Sequence, residues 1–298
     1  MVQGNIMPKN KVLVLGSTGM LGHQVVNYLE KFDDLIVDDI SYRNKLRKNT
    51  MIVDAMDKQA LEEAIVQLKP NFIINCIGVL IKGSVDTGAS IYLNAYLPHQ
   101  LKEISKTINA KLIHISTDCV FSGKDGQYVE ADLRDGKGTY AQTKILGEVI
   151  DEDNLTLRTS IIGPELKRDG EGLFHWFMNQ TGAISGYTKA IWSGVTTLEL
   201  AKFIKWSIDN NITGIYHVTN NSSIDKFSLL KLFKKHTKKN VHIEPYDKVN
   251  IDKSFVDTRL LRDYEIPSYD QMISDLVDYI FKNKSLYSHY KVGKFERE

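Results

Sequence analysis

Lys11-Val-Leu-Val-Leu-Gly16-Ser-Thr-Gly19-Met-Leu-Gly22-His-Gln-Val-Val-Asn-Tyr-Leu-Glu30 is the stretch on which the fold turns. Val12 to Leu15 form a short unbroken apolar run, the pattern of a parallel strand buried on both faces. Leu21, Val25, Val26 and Leu29 then recur at helical spacing. Between them stand three glycines, Gly16, Gly19 and Gly22, spaced G-x-x-G-x-x-G. Strand, glycine turn and helix together place the free N–H groups and positive dipole end of a helix where a dinucleotide pyrophosphate can sit. Glycine is required where the chain turns tightly, where backbone approaches phosphate, and where helix packs on strand.

Strand and helix patterns alternate onward from this unit. Leu35 to Ile40 reads as a second strand, Met51-Ile52-Val53 as a third ending at Asp54, and Phe72 to Cys76 as a fourth running into Ile77-Gly78. Asp57 is a candidate N-cap for a helix carrying Leu61, Ala64, Ile65 and Leu68, which Lys69-Pro70 stops. Ala89 to Ile108 reads as a long helix bearing Asn94, with a kink expected at Pro98. Lys111 to Ser116 is a fifth strand, and the polar loop from Ser122 to Gly138 is expected to order only around a ligand. Tyr140 opens a helix with Ile145, Val149 and Ile150 on its buried side, and Leu155 to Arg158 is a sixth strand.

The alternation breaks down beyond Gly163-Pro164. Helices are expected at Leu173–Asn179, Leu198–Ile208, Leu229–Lys235 and Tyr269–Lys282, with a strand at Gly214–Val218. The predicted architecture is α/β: a Rossmann-type doubly wound parallel sheet over 11–163, then a smaller α/β substrate-binding region over 164–298 that can return strands to the main sheet. Residues 1–10 read as a disordered leader.

Composition excludes several function classes. The chain has 298 residues, 42% hydrophobic and 25% charged, with a net charge of +1. That is ordinary for a soluble globular protein and gives no field for nucleic acid or an acidic membrane. No apolar run approaches the roughly 18 residues of a membrane span. Two cysteines, Cys76 and Cys119, lie in apolar surroundings and read as reduced thiols of a cytoplasmic protein. The eight histidines form no metal-ligand spacing, so no metal is expected. A homodimer is compatible with this composition.

Candidate chemistry collects after the fifth and sixth strand patterns. Tyr140 and Lys144 stand one helical turn apart on one face. An ammonium beside a phenol favours the phenolate, so Lys144 is expected to lower the Tyr140 pKa and to reach ribose hydroxyls. Ser116 and Thr117 follow a buried strand, where hydroxyls line the ligand crevice and can donate to a carbonyl oxygen as charge develops. At the end of the second strand, an acidic residue would select NAD(H) and a basic one NADP(H). Asp38 and Asp39 are followed there by Arg43 and Lys45, and placing Arg43 at the strand tip favours NADP(H).

Taken together, Gly16-Ser-Thr-Gly-Met-Leu-Gly22, Ile74-Asn-Cys76, Ser116-Thr-Asp-Cys-Val-Phe121, Tyr140-Ala-Gln-Thr-Lys-Ile-Leu-Gly-Glu148 and Leu157-Arg-Thr-Ser160 resemble the extended short-chain dehydrogenase/reductase family. The resemblance narrows to its dTDP-4-dehydrorhamnose reductase-like branch. It implies catalysis by Thr117, Tyr140 and Lys144. It implies a pyrophosphate site at Gly16, Thr18, Gly19, Met20, Leu21 and Gly22, with Arg43 and Asp54 at the adenosine end. Cys76, Ile77, Gly78, Asn94 and Ser116 would complete the cofactor site. The substrate would be a nucleotide sugar, touched by Thr117, Asp118, Cys119, Trp176 and Arg259.

Two departures fall on the sugar side. Cys119 replaces the family's usual tyrosine, and Ile161 replaces an aromatic that packs on the sugar, so either the sugar differs or Trp176 or Trp192 supplies the missing ring. Cys119 also stands where the related 4,6-dehydratases carry glutamate, which disfavours water elimination. The expected activity is NADPH-dependent reduction of a 4-keto group. An epimerase of the same fold and a non-catalytic NADP-binding regulatory subunit are the alternatives.

Overall fold

The computed structural model describes residues 9–80, 86–259 and 263–290. Residues 1–8 of the expected leader lie outside these, and Asn10 already belongs to the first strand. Seven parallel strands form the central sheet: β1 (Asn10–Leu15), β2 (Leu35–Ser41), β3 (Met51–Ile52), β4 (Phe72–Asn75), β5 (Lys111–Ile115), β6 (Leu155–Arg158) and β11 (Gly214–His217). Their order is β11-β6-β5-β4-β1-β2-β3, so the direction of winding reverses between β4 and β1. β11 comes from beyond Gly163 and pairs with β6, Gly214 opposite Leu155.

The sheet is buried on both faces because its strands carry apolar side chains in both directions. Val12 and Val14 pack with Val25, Val26 and Leu29 of α1 (Gly22–Leu29) and Leu200, Phe203 and Ile204 of α7 (Thr197–Asp209). Leu13 and Leu15 face the other way, against Leu61 and Ile65 of α2 (Lys58–Leu68) and Leu97 and Leu101 of α4 (Leu97–Thr107). All four β1 side chains are fully buried, which is what a continuous apolar run in a doubly covered sheet requires.

The long helix departs from expectation in an instructive way. It runs as α3 (Thr87–Ser90), a π turn over Ile91–Tyr96, and then α4, so the irregularity precedes Pro98. Proline has no N–H to donate to the carbonyl four residues back, which is that of Asn94. Leu97 bonds instead to Tyr92, five residues back. The Asn94 carbonyl is therefore free to face α5 (Thr139–Leu146), whose end residue Gly147 lies against it so closely that a Cβ there would overlap the oxygen. Gly147→Ala should accordingly cost about 1–3 kcal/mol, read as a lower denaturation midpoint.

Two further expectations are corrected. Ile150 is 51% exposed, because α5 ends at Leu146 and the chain turns before it; Val149 alone of that pair is buried. The loop from Ser122 to Gly138 has its own internal order. Tyr128 stacks on Phe121 at 4.3 Å, and its hydroxyl accepts from the N–H groups of Gly123, Lys124 and Asp125. Short strands missed in the sequence cluster after Arg158. β7 (Ile161–Ile162) pairs with β10 (Val195–Thr196), and β8 (Ala183–Tyr187) with β13 (His242–Tyr246). β9 (Ala190–Trp192) lies between β12 (Ile224–Asp225) and β14 (Ile251–Asp252). The remaining helices are α6 (Leu173–Met178), α8 (Lys226–Thr237) and α9 (Tyr269–Lys282).

Candidate active site

The glycine turn joins β1 to α1 at the reversal point of the sheet. Gly16 has φ +78°, in the left-handed region, and a Cβ there would lie 3.1 Å from Ile77 and 3.3 Å from the Cys76 backbone. A Cβ on Gly22 would overlap the Gly16 carbonyl, so α1 can approach only as glycine. The turn is held by Gly16 and Ser17 N–H groups donating to the Ile40 carbonyl, and by Gly19 donating to Gly16. Thr18 and Met20 N–H groups have no partner among the described residues. Orphan donors ahead of a helix N-terminus fit a pyrophosphate. Cys76 and Ile77 lie against Gly16, Gly78 lies against the Asn94 side chain, and burial pushes the Cys76 thiol up to about 12.

The sequence did not reveal what fixes this turn from behind. His23 is fully buried and donates from Nδ1 to the Gly19 carbonyl at 2.7 Å. Burial lowers its pKa to about 4, against the opposing pull of that carbonyl, so the ring is neutral and Nε2 accepts from the Tyr287 hydroxyl at 2.7 Å. The pairing spans most of the chain, and no local pattern announces it.

At the adenosine end, β2 finishes at Ser41, so Tyr42 and Arg43 stand just past the strand tip. The Arg43 guanidinium lies 4.6 Å from the Tyr42 ring, and both residues are exposed. Asp39 is sealed inside, bound by Arg47 at 2.6 Å, and Arg47 also holds Glu30 and the Val37 carbonyl. Asp38 lies within the strand opposite Leu13. Neither carboxylate is at the tip. Asp54 is exposed just beyond β3 and caps the Met56 N–H at 2.9 Å.

The reacting groups gather past the C-terminal end of β5. Tyr140 and Lys144 lie on α5, and the Tyr140 phenol meets the Thr117 hydroxyl. Thr117 donates to Asp118 at 3.0 Å and accepts from the Cys119 N–H at 3.1 Å. Lys144 is buried, and its Nζ donates to the Ile115 carbonyl at 2.7 Å. Burial lowers the Lys144 pKa to about 8, with the Glu148 charge opposing. The Tyr140 pKa is not lowered as expected: burial, then the neighbouring Cys119, raise it above the ordinary phenol value, and the Thr117 hydrogen bond only partly offsets this. The ammonium is engaged by a backbone carbonyl, and burial keeps the phenol protonated.

Asn94 ties the parts together. Its Nδ2 donates to the Val79 carbonyl at 3.0 Å and to Thr143 of α5 at 3.3 Å, while its Oδ1 accepts from the Val79 N–H at 2.8 Å. Ser116 turns away from the crevice and donates to Glu148 at 2.6 Å. Glu148 also receives a two-pronged bond from fully buried Arg158, at 2.7 and 2.8 Å, and one from Arg134 at 2.9 Å. This network pins the β5 end to α5.

Two expected sugar-side residues lie elsewhere. Arg259 donates to the Ile215 carbonyl at 3.0 Å and covers the Tyr216 ring at 4.3 Å, before the C-terminal end of β11, so it braces the sheet edge. Trp176 is 39% exposed on α6, beside the buried Phe174 and Phe177. Trp192 is buried, and its indole N–H donates to Ser160 at 2.7 Å, next to Ile161. It is the tryptophan that approaches the departure from the family pattern.

Comparison with known proteins shows the family and the fold. A family model described as the RmlD substrate binding domain matches residues 10–254. A curated relative from Bos taurus, methionine adenosyltransferase 2 subunit beta, is 26% identical over 240 residues, covering 75% of this chain and 71% of its own. A dTDP-4-keto-6-deoxy-D-glucose reductase from Streptomyces niveus is 22% identical over 231 residues, covering 74% and 76%. Among solved structures, dTDP-4-dehydrorhamnose reductase from Bacillus anthracis in complex with NADP superimposes with TM-score 0.78 at 20% identity, covering 91% of this chain and 99% of that one. The last of these shows the shared fold.

Proposed function

Since the chain belongs to the RmlD substrate binding domain family, within the extended short-chain dehydrogenases/reductases, we propose that it is an NADPH-dependent reductase of a nucleotide-linked 4-keto-6-deoxyhexose. The observation that carries this is the meeting of Tyr140 and Thr117 past β5, one helical turn from Lys144. The glycine turn and the Cys76–Gly78 loop would hold the dinucleotide, and NADPH supplies the hydride when bound there. Thr117 donates to the ketone oxygen and stabilises its developing charge. Tyr140, kept protonated by its surroundings, gives its proton to that oxygen as the alkoxide forms. Lys144 supplies positive charge behind the phenol and can exchange the Ile115 carbonyl for ribose hydroxyls. Such an enzyme would serve sugar-nucleotide synthesis for surface polysaccharide.

The test is a panel of dTDP-, UDP-, GDP- and CDP-linked 4-ketosugars scored by NADPH oxidation. At least one is expected to be reduced with net NADPH consumption, which an epimerase would not show. The relatives named methionine adenosyltransferase 2 subunit beta favour one other reading, a regulatory subunit. Co-purification with a stoichiometric partner, without reduction of any ketosugar, would establish that instead.

The cofactor preference rests on the strand tip. Arg43 forms no ion pair among the described residues and lies over the Tyr42 ring, while Asp39 is neutralised by Arg47. Arg43→Ala should weaken NADPH by about tenfold and leave NADH unchanged, measured as the ratio of the two dissociation constants. An equal loss for both would remove Arg43 from 2′-phosphate recognition.

A further inference from the structure

Two lysines that the sequence reading did not single out converge on the far side of Cys119. Lys226 is the first residue of α8, directly after β12, where Ile224 pairs with Trp192. Its Nζ lies 5.3 Å from the Trp192 ring centroid. Burial lowers its pKa to about 8, and Asp118 and Cys119 are the groups whose charges act on it. Lys253 arrives from the other flank of β9, its N–H donating to the Ile191 carbonyl at 3.3 Å. Its ammonium hydrogen-bonds the Cys119 thiol.

Neither ammonium forms an ion pair among the described residues. The nearby carboxylates are already spent. Asp225 caps α8, accepting from the Ser228 N–H at 2.9 Å and its hydroxyl at 2.7 Å. Asp252 accepts from the Ser254 N–H at 2.9 Å and its hydroxyl at 2.6 Å. Glu148 is neutralised by Arg158 and Arg134. Of the carboxylates, Asp118 is the one whose charge acts on Lys226. A cation withdrawn from water without a counter-ion is costly, and its cost is recovered where a ligand brings the missing charge.

We propose that Lys226 and Lys253 form the anion-binding wall of the crevice and grip the diphosphate of the substrate beside Cys119. The inference rests on the reductase reading for what the crevice holds. Only Asp118 and Cys119 separate Thr117 from the lysines. A hexose whose keto oxygen meets Thr117 thus presents its anomeric phosphate to them, and charge recognition takes over from the aromatic contact absent at Ile161.

Calorimetric titration of the full chain with dTDP, UDP, inorganic pyrophosphate and glucuronate tests this, alongside Lys226→Met, Lys253→Met and Lys226→Arg. The diphosphates are expected to bind the wild type, and each methionine variant should weaken them by about tenfold or more. Lys226→Arg should restore binding. NADPH affinity should hold in every variant, Tm should not fall, and KM for a reduced ketosugar should rise while kcat changes little. Unchanged diphosphate binding in both methionine variants would overturn the proposal. So would glucuronate binding that depends on the lysines while diphosphates do not bind, or a lowered Tm with loss of NADPH. Lysine-dependent diphosphate binding without reduction of any ketosugar would sink the reductase reading and leave the subsite standing. Reduction with an unaltered KM in the methionine variants would do the reverse.

Discussion

Tyr140→Phe should lose about 10²–10⁴-fold in ketosugar reduction, the span that a positioned general acid contributes. NADPH binding and thermal stability should stay near wild type, because the phenylalanine ring keeps the same packing on α5. The prediction follows from the phenol–threonine contact and from the raised Tyr140 pKa. A group that remains protonated near neutrality is suited to giving a proton, and in the reductive direction a proton is what the forming alkoxide needs. The check is kcat for the variant against the best substrate of the panel, with NADPH affinity measured separately. Reduction at near wild-type kcat would take the proton-donor role from Tyr140.

The second large effect is on stability. Arg158→Met should destabilise by about 3–5 kcal/mol, since it leaves the Glu148 carboxylate buried without its main counter-charge. Arg134 still reaches Glu148, but it is partly exposed and meets only one oxygen. Burial acts to raise the Glu148 pKa, and hydrogen bonds and charge from Arg158, with Ser116 and Arg134, outweigh it and hold the group below its usual 4.5. A depressed carboxylate adds stability that is fully present above the unfolded value and lost as pH falls through the folded one. The wild type should therefore lose stability on acidification below about pH 4.5, and Glu148→Gln should show a flatter acid limb. Denaturant midpoints across that range measure both. An unaltered acid limb in Glu148→Gln would remove Glu148 from the acid response.

Much of the N-terminal half was readable because its signals are local. An apolar run buried on both faces, a helical repeat and glycines between them lie within the stretch from Lys11 to Glu30. Tyr140 and Lys144 are legible for the same reason, since helical geometry alone puts them on one face. The region after Gly163 gave less, because its strands are two to five residues long and pair across gaps of tens of residues. Arg259 illustrates the difficulty: an arginine near the end of the chain can meet a diphosphate or a sheet edge, and only the register of β11 sends it to Ile215. The direction of the Tyr140 pKa shift was likewise out of reach, because it depends on how deeply the folded chain buries the phenol.

What the sequence determined by itself was the doubly wound sheet, the glycine turn at its reversal point and the shared helical face of Tyr140 and Lys144, all consequences of periodicity over a few residues. Only the tertiary structure decided how these are held and what faces them. Tyr287 reaches back to His23 behind the turn, Arg158 of β6 locks onto Glu148 just past α5, and Lys226 and Lys253 come round from opposite flanks of β9 to Cys119. Each of these joins residues far apart in the chain, and their partnership depends on how the sheets pack, which no short stretch encodes.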